Sequence, residues 1–165
     1  MIKDPSNSTQ IDPAIDAKFM KLALNLASEA AAAGEVPVGA LVVLNGEIIA
    51  QAGNTKEAEN APTHHAELKA IEMAAQKLGR WRLSDCEIYV TLEPCSMCAG
   101  AIVQARLKRV IFGTRDPKAG AVRSLFELVS DPRLNHRAEI TEGILAEECG
   151  TILSQFFKKR RAEKA

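Results

Sequence analysis

The feature that most constrains the fold is the alternation of two apolar periods along the chain. Ile15, Phe19, Leu22, Leu26 and Ala30 recur at intervals of three and four, which is the spacing of one helical face. Asp12 offers an N-cap with Pro13 behind it, Gly34 a stop, and Ala23, Ala27 and Ala31 a small face able to lie close to a sheet. Val38 to Leu44 is then a continuous apolar run, and Glu47 to Ala52 follows beyond Asn45-Gly46. Both turn residues tolerate positive φ, so the pair predicts a hairpin. Helical and strand patterns alternate from there. A helix capped by Thr63 runs to Leu78 and should be buried on most of its surface. Strand Glu87 to Leu92, a helix over 95–104, strand Arg109 to Gly113, a short helix over 121–129, an edge strand over 138–141 and a closing helix over 144–161 complete the order. Crossover helices between strands predict an α/β fold with a mixed sheet covered on both faces. The outer strand order is not specified by this pattern.

Composition narrows the class. The 165 residues are 47% hydrophobic and 25% charged, the profile of one globular domain over residues 12–165 behind a flexible polar segment at 1–11. No uninterrupted apolar run reaches the length of a membrane span, and the N-terminus lacks the order of an export signal, so a cytoplasmic protein is expected. Twenty-one basic and 21 acidic residues cancel, which excludes a uniformly basic nucleic-acid coat but not a local patch. Arg106, Lys108, Arg109, Arg115, Lys118 and Arg123 face one acid, Asp116, within 104–123.

The chemistry-bearing pattern is His65-Ala66-Glu67 followed by Pro94-Cys95-Ser96-Met97-Cys98. Cysteines three apart at a helix start present their sulfurs to one side, and the free N–H groups there favour thiolate. With His65 they make three soft ligands, a zinc preference, and leave a fourth tetrahedral position for water. Glu67 lies ~200° around an ideal helix from His65, so it reads as a proton carrier reaching past the helix end rather than as a ligand. A structural zinc knuckle and a redox pair are the competing readings. Cys86 and Cys149 read as core.

These residues resemble the H-x-E…P-C-x-x-C signature of the zinc-dependent nucleobase deaminases. Further stretches are similar to the bacterial tRNA-specific adenosine deaminases: Glu35-Val-Pro-Val-Gly-Ala40, Gly53-Asn54, Pro62 to Glu67, Thr91 to Ala101, Gly113 to Lys118, Asn135-His136-Arg137 and Glu142 to Cys149. The resemblance implies a cytidine-deaminase-like three-layer α/β/α sandwich with a central mixed five-stranded sheet. It implies hydrolytic conversion of adenosine to inosine at the wobble position of an arginine tRNA, by a homodimer with one zinc per subunit. His65, Cys95 and Cys98 would hold the metal, Glu67 would shuttle protons and Asn54 would hold the flipped base. His64 stands where a small residue is common and Arg123 where glycine is common; the His-x-Glu spacing assigns ligation to His65.

Residues outside the metal set carry weaker expectations. Gly39 and Ala40 begin a strand, and the resemblance puts their backbone at the pocket wall, where a base approaches closely. Arg115 and Lys118 follow a strand end and suit phosphate contact, while Asp116 suits a sugar hydroxyl or base edge. Asn135 and His136 lie in a polar loop as further contacts. In the closing helix at least one of Phe156 and Phe157 should be core, leaving the other, with Arg160, for the RNA groove of an anticodon stem-loop. Two other functions remain open: deamination of a small free base such as guanine or cytosine, and a non-catalytic zinc-stabilised RNA-binding module.

Overall fold

The computed structural model describes residues 11–165; of the segment expected to be flexible, all but Ile11 lies outside the described residues. Helix α1 (Pro13–Ala32) starts as its sequence dictates, with the Asp12 carboxylate accepting from the Ala14 N–H at 2.9 Å. Strands β1 (Gly39–Leu44) and β2 (Glu47–Gly53) form an antiparallel hairpin whose turn residues Asn45 and Gly46 both have positive φ, as Asn-Gly requires. Helix α2 (Ala66–Leu78), strand β3 (Cys86–Leu92), helix α3 (Ser96–Ala105), strand β4 (Arg109–Thr114), strand β5 (Glu139–Glu142) and helix α4 (Ala146–Glu163) follow.

The sheet order is β2-β1-β3-β4-β5, with β1 antiparallel to β3 and β3, β4 and β5 mutually parallel. Helices α2 and α3 pack over one face on Val42, Ile88, Val90, Val110 and Phe112. Helix α1 covers the other face with Phe19, Met20 and Ala23 against Leu41, Val43, Tyr89 and Ile111, and α4 adds Cys149. The result is the expected three-layer α/β/α sandwich around a mixed five-stranded sheet. Period-two alternation along β3 divides its side chains between the two cores.

Three local expectations change. No helix forms over 121–129; that stretch makes turns and then a single 3-10 turn over Leu128–Ser130, because its amides bond elsewhere. Helix α2 begins at Ala66 rather than Thr63, and Met73 on its outer side is 45% exposed. Arg109, expected in a basic surface patch, is buried. It donates to Asp16 at 2.9 Å through two nitrogens, to Glu87 at 2.9 Å and to Thr141 at 3.1 Å, while the Tyr89 hydroxyl donates to Asp16 at 2.7 Å. This network ties α1 to β3, β4 and β5 at the N-terminal ends of the parallel strands.

Candidate metal centre

The C-terminal ends of β2, β3 and β4 and the start of β1 lie at one edge of the sheet, where ligands collect in open α/β sheets. Helices α2 and α3 both begin there, so two positive helix ends converge on one point. His65 is the N-cap of α2 and Cys95 the N-cap of α3, each with extended backbone, and Cys98 sits in the first turn of α3. His65 Nδ1 lies 3.6 Å from Cys95 Sγ and 3.5 Å from Cys98 Sγ. A tetrahedral zinc with ordinary bond lengths holds N and S about 3.6 Å apart, so the trio fits that ion without rearrangement. Among the described residues these three form the one His/Cys/Asp/Glu group able to hold a metal.

Their proton affinities fit a shared cation. A hydrogen bond from the Cys98 thiol, opposed by burial and helped by His65, lowers Cys95 to about 4. The same bond, together with burial, pushes Cys98 up, and His65 is raised chiefly by its bond to Cys95. Among themselves the two sulfurs thus share one negative charge, and a divalent ion common to the three donors stabilises both thiolates. Cys86 and Cys149 are buried thiols pushed up by burial to about 11 and about 12, which is inert core behaviour.

Glu67 resolves differently from the helical-wheel argument. Since His65 is extended and α2 starts only at Ala66, the ~200° separation of an ideal helix does not apply. His65 and Glu67 line one cavity of about 190 Å³ together with Cys95, Asn54 and Asp116. The Glu67 carboxyl is buried, and burial raises its pKa against the opposing bond from Cys98. A buried acid that holds its proton above the usual range is suited to proton transfer.

Asn54 spends much of its amide on structure. Its Oδ1 accepts from the Ala66 N–H at 2.8 Å and its Nδ2 donates to the Val36 carbonyl at 3.1 Å. It therefore caps α2 from a distance, in place of the expected Thr63, while His65 faces the sulfurs. One amide hydrogen is left for the cavity that Asn54 lines.

Gly39 and Ala40 do not line this cavity; Val38 does. A Cβ on Gly39 would meet the Ala23 carbonyl at 2.0 Å, so glycine is needed there for the approach of α1, not of a base. His136 and Asn135 fall at the other end of the sheet, before β5, where the His136 Nε2 bonds the Leu107 carbonyl at 2.7 Å. Arg115 forks onto Glu142 at 2.8 and 2.9 Å. Asp116 accepts from the Lys118 and Ala119 N–H groups, closing its own turn. Neither Phe156 nor Phe157 is fully buried: Phe156 is half-buried under Arg160, and Phe157 is exposed. A groove beside the cavity is lined by Val36, Leu92, Arg115, Lys118, Phe157 and Arg161 among others.

Two buried glutamates went unread in the sequence. Glu35 accepts from the N–H groups of Glu57 and Ala58 at 3.1 and 2.7 Å and fixes the loop after β2. Glu93 accepts from loop 116–124 after β4. Burial would raise Glu93, but bonds from Ser124, Arg123 and Asp116 outweigh it and the net shift is downward. The available signal was position: Glu93 directly follows β3 and Glu35 lies between α1 and β1, each within a motif stretch.

Comparison with known proteins supplies the class and then the family. The MafB19-like deaminase family matches residues 15–161, so the chain is of the deaminase class. The tRNA-specific adenosine deaminase of Bacillus subtilis (strain 168) is 49% identical over 149 residues, 90% of this chain and 92% of its own length. That of Haemophilus influenzae is 45% identical over 159 residues, covering 96% and 92%. This chain belongs to the tRNA-specific adenosine deaminase family. A solved structure from work on A-to-I editing by tRNA:A34 deaminases is 45% identical, with a TM-score of 0.80 over 82% of this chain and 99% of that one. The guanine deaminase of Nitrosomonas europaea, at 24% identity and TM-score 0.71 over 85% and 83%, shares the fold.

Proposed function

We propose that this chain hydrolyses adenosine to inosine at the wobble position of a tRNA anticodon, with an arginine tRNA as substrate, in the cytoplasm. The observation that carries the reading is the convergence of His65 with Cys95 and Cys98 at 3.6 and 3.5 Å beside the buried carboxyl of Glu67. Zinc held by those three residues would supply Lewis acidity toward water. Glu67 carries one proton of the attacking water to the ring nitrogen and then the second, from the new hydroxyl, to the departing amine, so adenosine and water give inosine and ammonia. Burial raises the pKa of this carboxyl, which suits a group that both takes and gives protons.

A cavity of about 190 Å³ is below the ~300 Å³ at which drug-sized sites begin, which favours a flipped base over a whole nucleotide. An unpaired anticodon base is cheap to flip. The remaining Asn54 amide hydrogen serves as a base contact and Asp116 as a sugar contact. The adjoining groove combines apolar surface, exposed Phe157 and the cations Lys118 and Arg161, which suits stacked bases and phosphate. Arg115 and Arg160 border this path. The reading takes residues 12–165 as one deaminase domain with a basic C-terminal helix, and pairs two such chains with one zinc each. Leu125 and Phe126, more than half exposed, suit burial against the second copy. Among the described residues no helix is long and apolar enough to cross a membrane.

The test is an inosine readout across transcribed tRNAs with wild type and Glu67→Ala, alongside ammonia release from free adenosine. Inosine at one anticodon position, absent with the variant, is the expected result. Equal rates on RNA and free adenosine would reject the RNA-specific reading.

A further inference from the structure

The loop between β4 and β5 has no regular structure over residues 115–124 apart from one isolated bridge at Gly120 to Cys95, yet it separates the cavity from the groove. Asp116 lines both, and Lys118 lines the groove. Ala121 and Val122 anchor its far end in the core, but Arg115 and residues 117–119, toward the groove, are exposed. The polar contact that joins the exposed part to the anchored part is Glu93, buried between the end of β3 and the start of α3. Its Oε1 accepts from the Asp116 N–H at 3.1 Å and from the Ser124 hydroxyl; its Oε2 accepts from the N–H groups of Val122, Arg123 and Ser124 at 3.1, 2.9 and 2.9 Å. One carboxylate thus gathers both ends of the loop. Gly120 makes room for it, since a Cβ there would stand 2.3 Å from Glu93 Oε2. The Ala121 N–H adds a 2.8 Å bond to the Pro94 carbonyl, next to the metal-ligand helix.

We infer that Glu93 is a positioning residue for the RNA substrate: its carboxylate holds loop 116–124 as the shared wall of cavity and groove, and so sets how tightly the anticodon loop is gripped. This inference rests on the deamination reading above. Glu93 makes no transfer itself. A neutral amide at this position replaces one acceptor oxygen by an N–H group that faces backbone donors, so Glu93→Gln breaks several bonds at once.

The experiment compares the full-length metal-loaded protein with Glu93→Gln and Ser124→Ala. Hydrogen exchange, bound zinc, affinity for a labelled anticodon stem-loop RNA, and KM and kcat for inosine formation are measured. Glu93→Gln is expected to keep its zinc and to lose amide protection at Asp116, Val122, Arg123 and Ser124 while the sheet stays protected. RNA affinity should fall and KM rise by roughly tenfold, the cost of reordering a contact loop on binding, with kcat nearly unchanged. Ser124→Ala removes one donor and should give the same pattern at smaller size; it carries the test if Glu93→Gln does not fold. Unchanged protection, unchanged RNA affinity despite lost protection, or a fall in kcat at constant KM would each overturn the inference. If wild type bound RNA but made no inosine, the deamination reading would fail, while the exchange and affinity results would still decide the role of Glu93.

Discussion

The two ends of the sheet treat buried carboxylates in opposite ways. At the N-terminal ends of β3 and β4, Asp16 receives two Arg109 nitrogens and the Tyr89 hydroxyl, and Arg109 also meets Glu87 and Thr141. Burial and the bond to Asp16 raise Tyr89, and the Arg109 cation is reinforced by its carboxylates despite burial. Every polar group there is matched. At the other end Glu67 is equally buried, and burial raises its pKa against the bond from Cys98. Glu93, on the same cavity, is matched by N–H groups and shifted down. A carboxylate met by a cation or several N–H groups stays charged and holds structure together; one pushed up by burial holds its proton more tightly. The cavity end thus carries two carboxylates matched by backbone N–H groups, Glu35 and Glu93, beside Glu67.

The largest expected effect lies at Glu67. Glu67→Gln should retain one zinc per chain by metal analysis yet lose ~10²–10⁴-fold in kcat, the usual worth of a proton carrier. Cys95→Ala, by contrast, should lose the metal itself and lower the melting temperature, because ligation is coupled to folding. Retained zinc in Cys95→Ala would show that the ligand set is wrong.

At the matched end, Arg109→Ala leaves Asp16 and Glu87 without their cation and should cost about 3–5 kcal/mol in denaturant unfolding. The remaining folded protein should keep its kcat, since the network sits away from the cavity. A kcat loss without a stability loss would contradict the division between the ends.

Acidification separates the two glutamates. Glu67 must shed its proton to act as a base, so kcat/KM should fall on an acid limb lying above the ordinary glutamate value of 4.5. Glu93, with its folded pKa lowered, contributes stability that is present above 4.5 and lost as pH falls through its lowered value. Proteolysis within 116–124 should therefore begin only below the pH at which activity is already lost. Coincident curves would mean that one group governs both.

The smallest effect is electrostatic. Glu142→Gln releases Arg115 from its fork and should steepen the dependence of log KM on log salt by up to ~0.7 per added phosphate contact. An unchanged slope would place Arg115 off the RNA path.

Much of this architecture is legible in the sequence. Apolar periods and the turn residues Gly34, Asn45 and Gly46 locate nearly every helix and strand, because those signals are local. The metal trio is equally readable: a histidine and a C-x-x-C pair at helix starts are chemically distinctive, and the helices bring them together. The short helix expected over 121–129 fails for a nonlocal reason, since the N–H groups of Val122, Arg123 and Ser124 go to Glu93, 29 to 31 residues away.

The side-chain duties of Gly39, His136, Arg109 and Asn54 show where sequence alone stops. Gly39 and a pocket-wall glycine look identical in sequence; only the approach of α1 to its Cα tells them apart. His136 follows a polar loop wherever that loop lies, and it lies at the far end. Arg109 counts as a surface charge until Asp16, 93 residues earlier, is folded against it. By itself the sequence determined which elements form and which three residues can ligate a metal, because periodicity and ligand chemistry belong to short stretches. The tertiary structure alone decided which carboxylates are held charged and which is pushed up by burial, because a hydrogen-bond partner is a neighbour in space, supplied by whichever distant segment packs there.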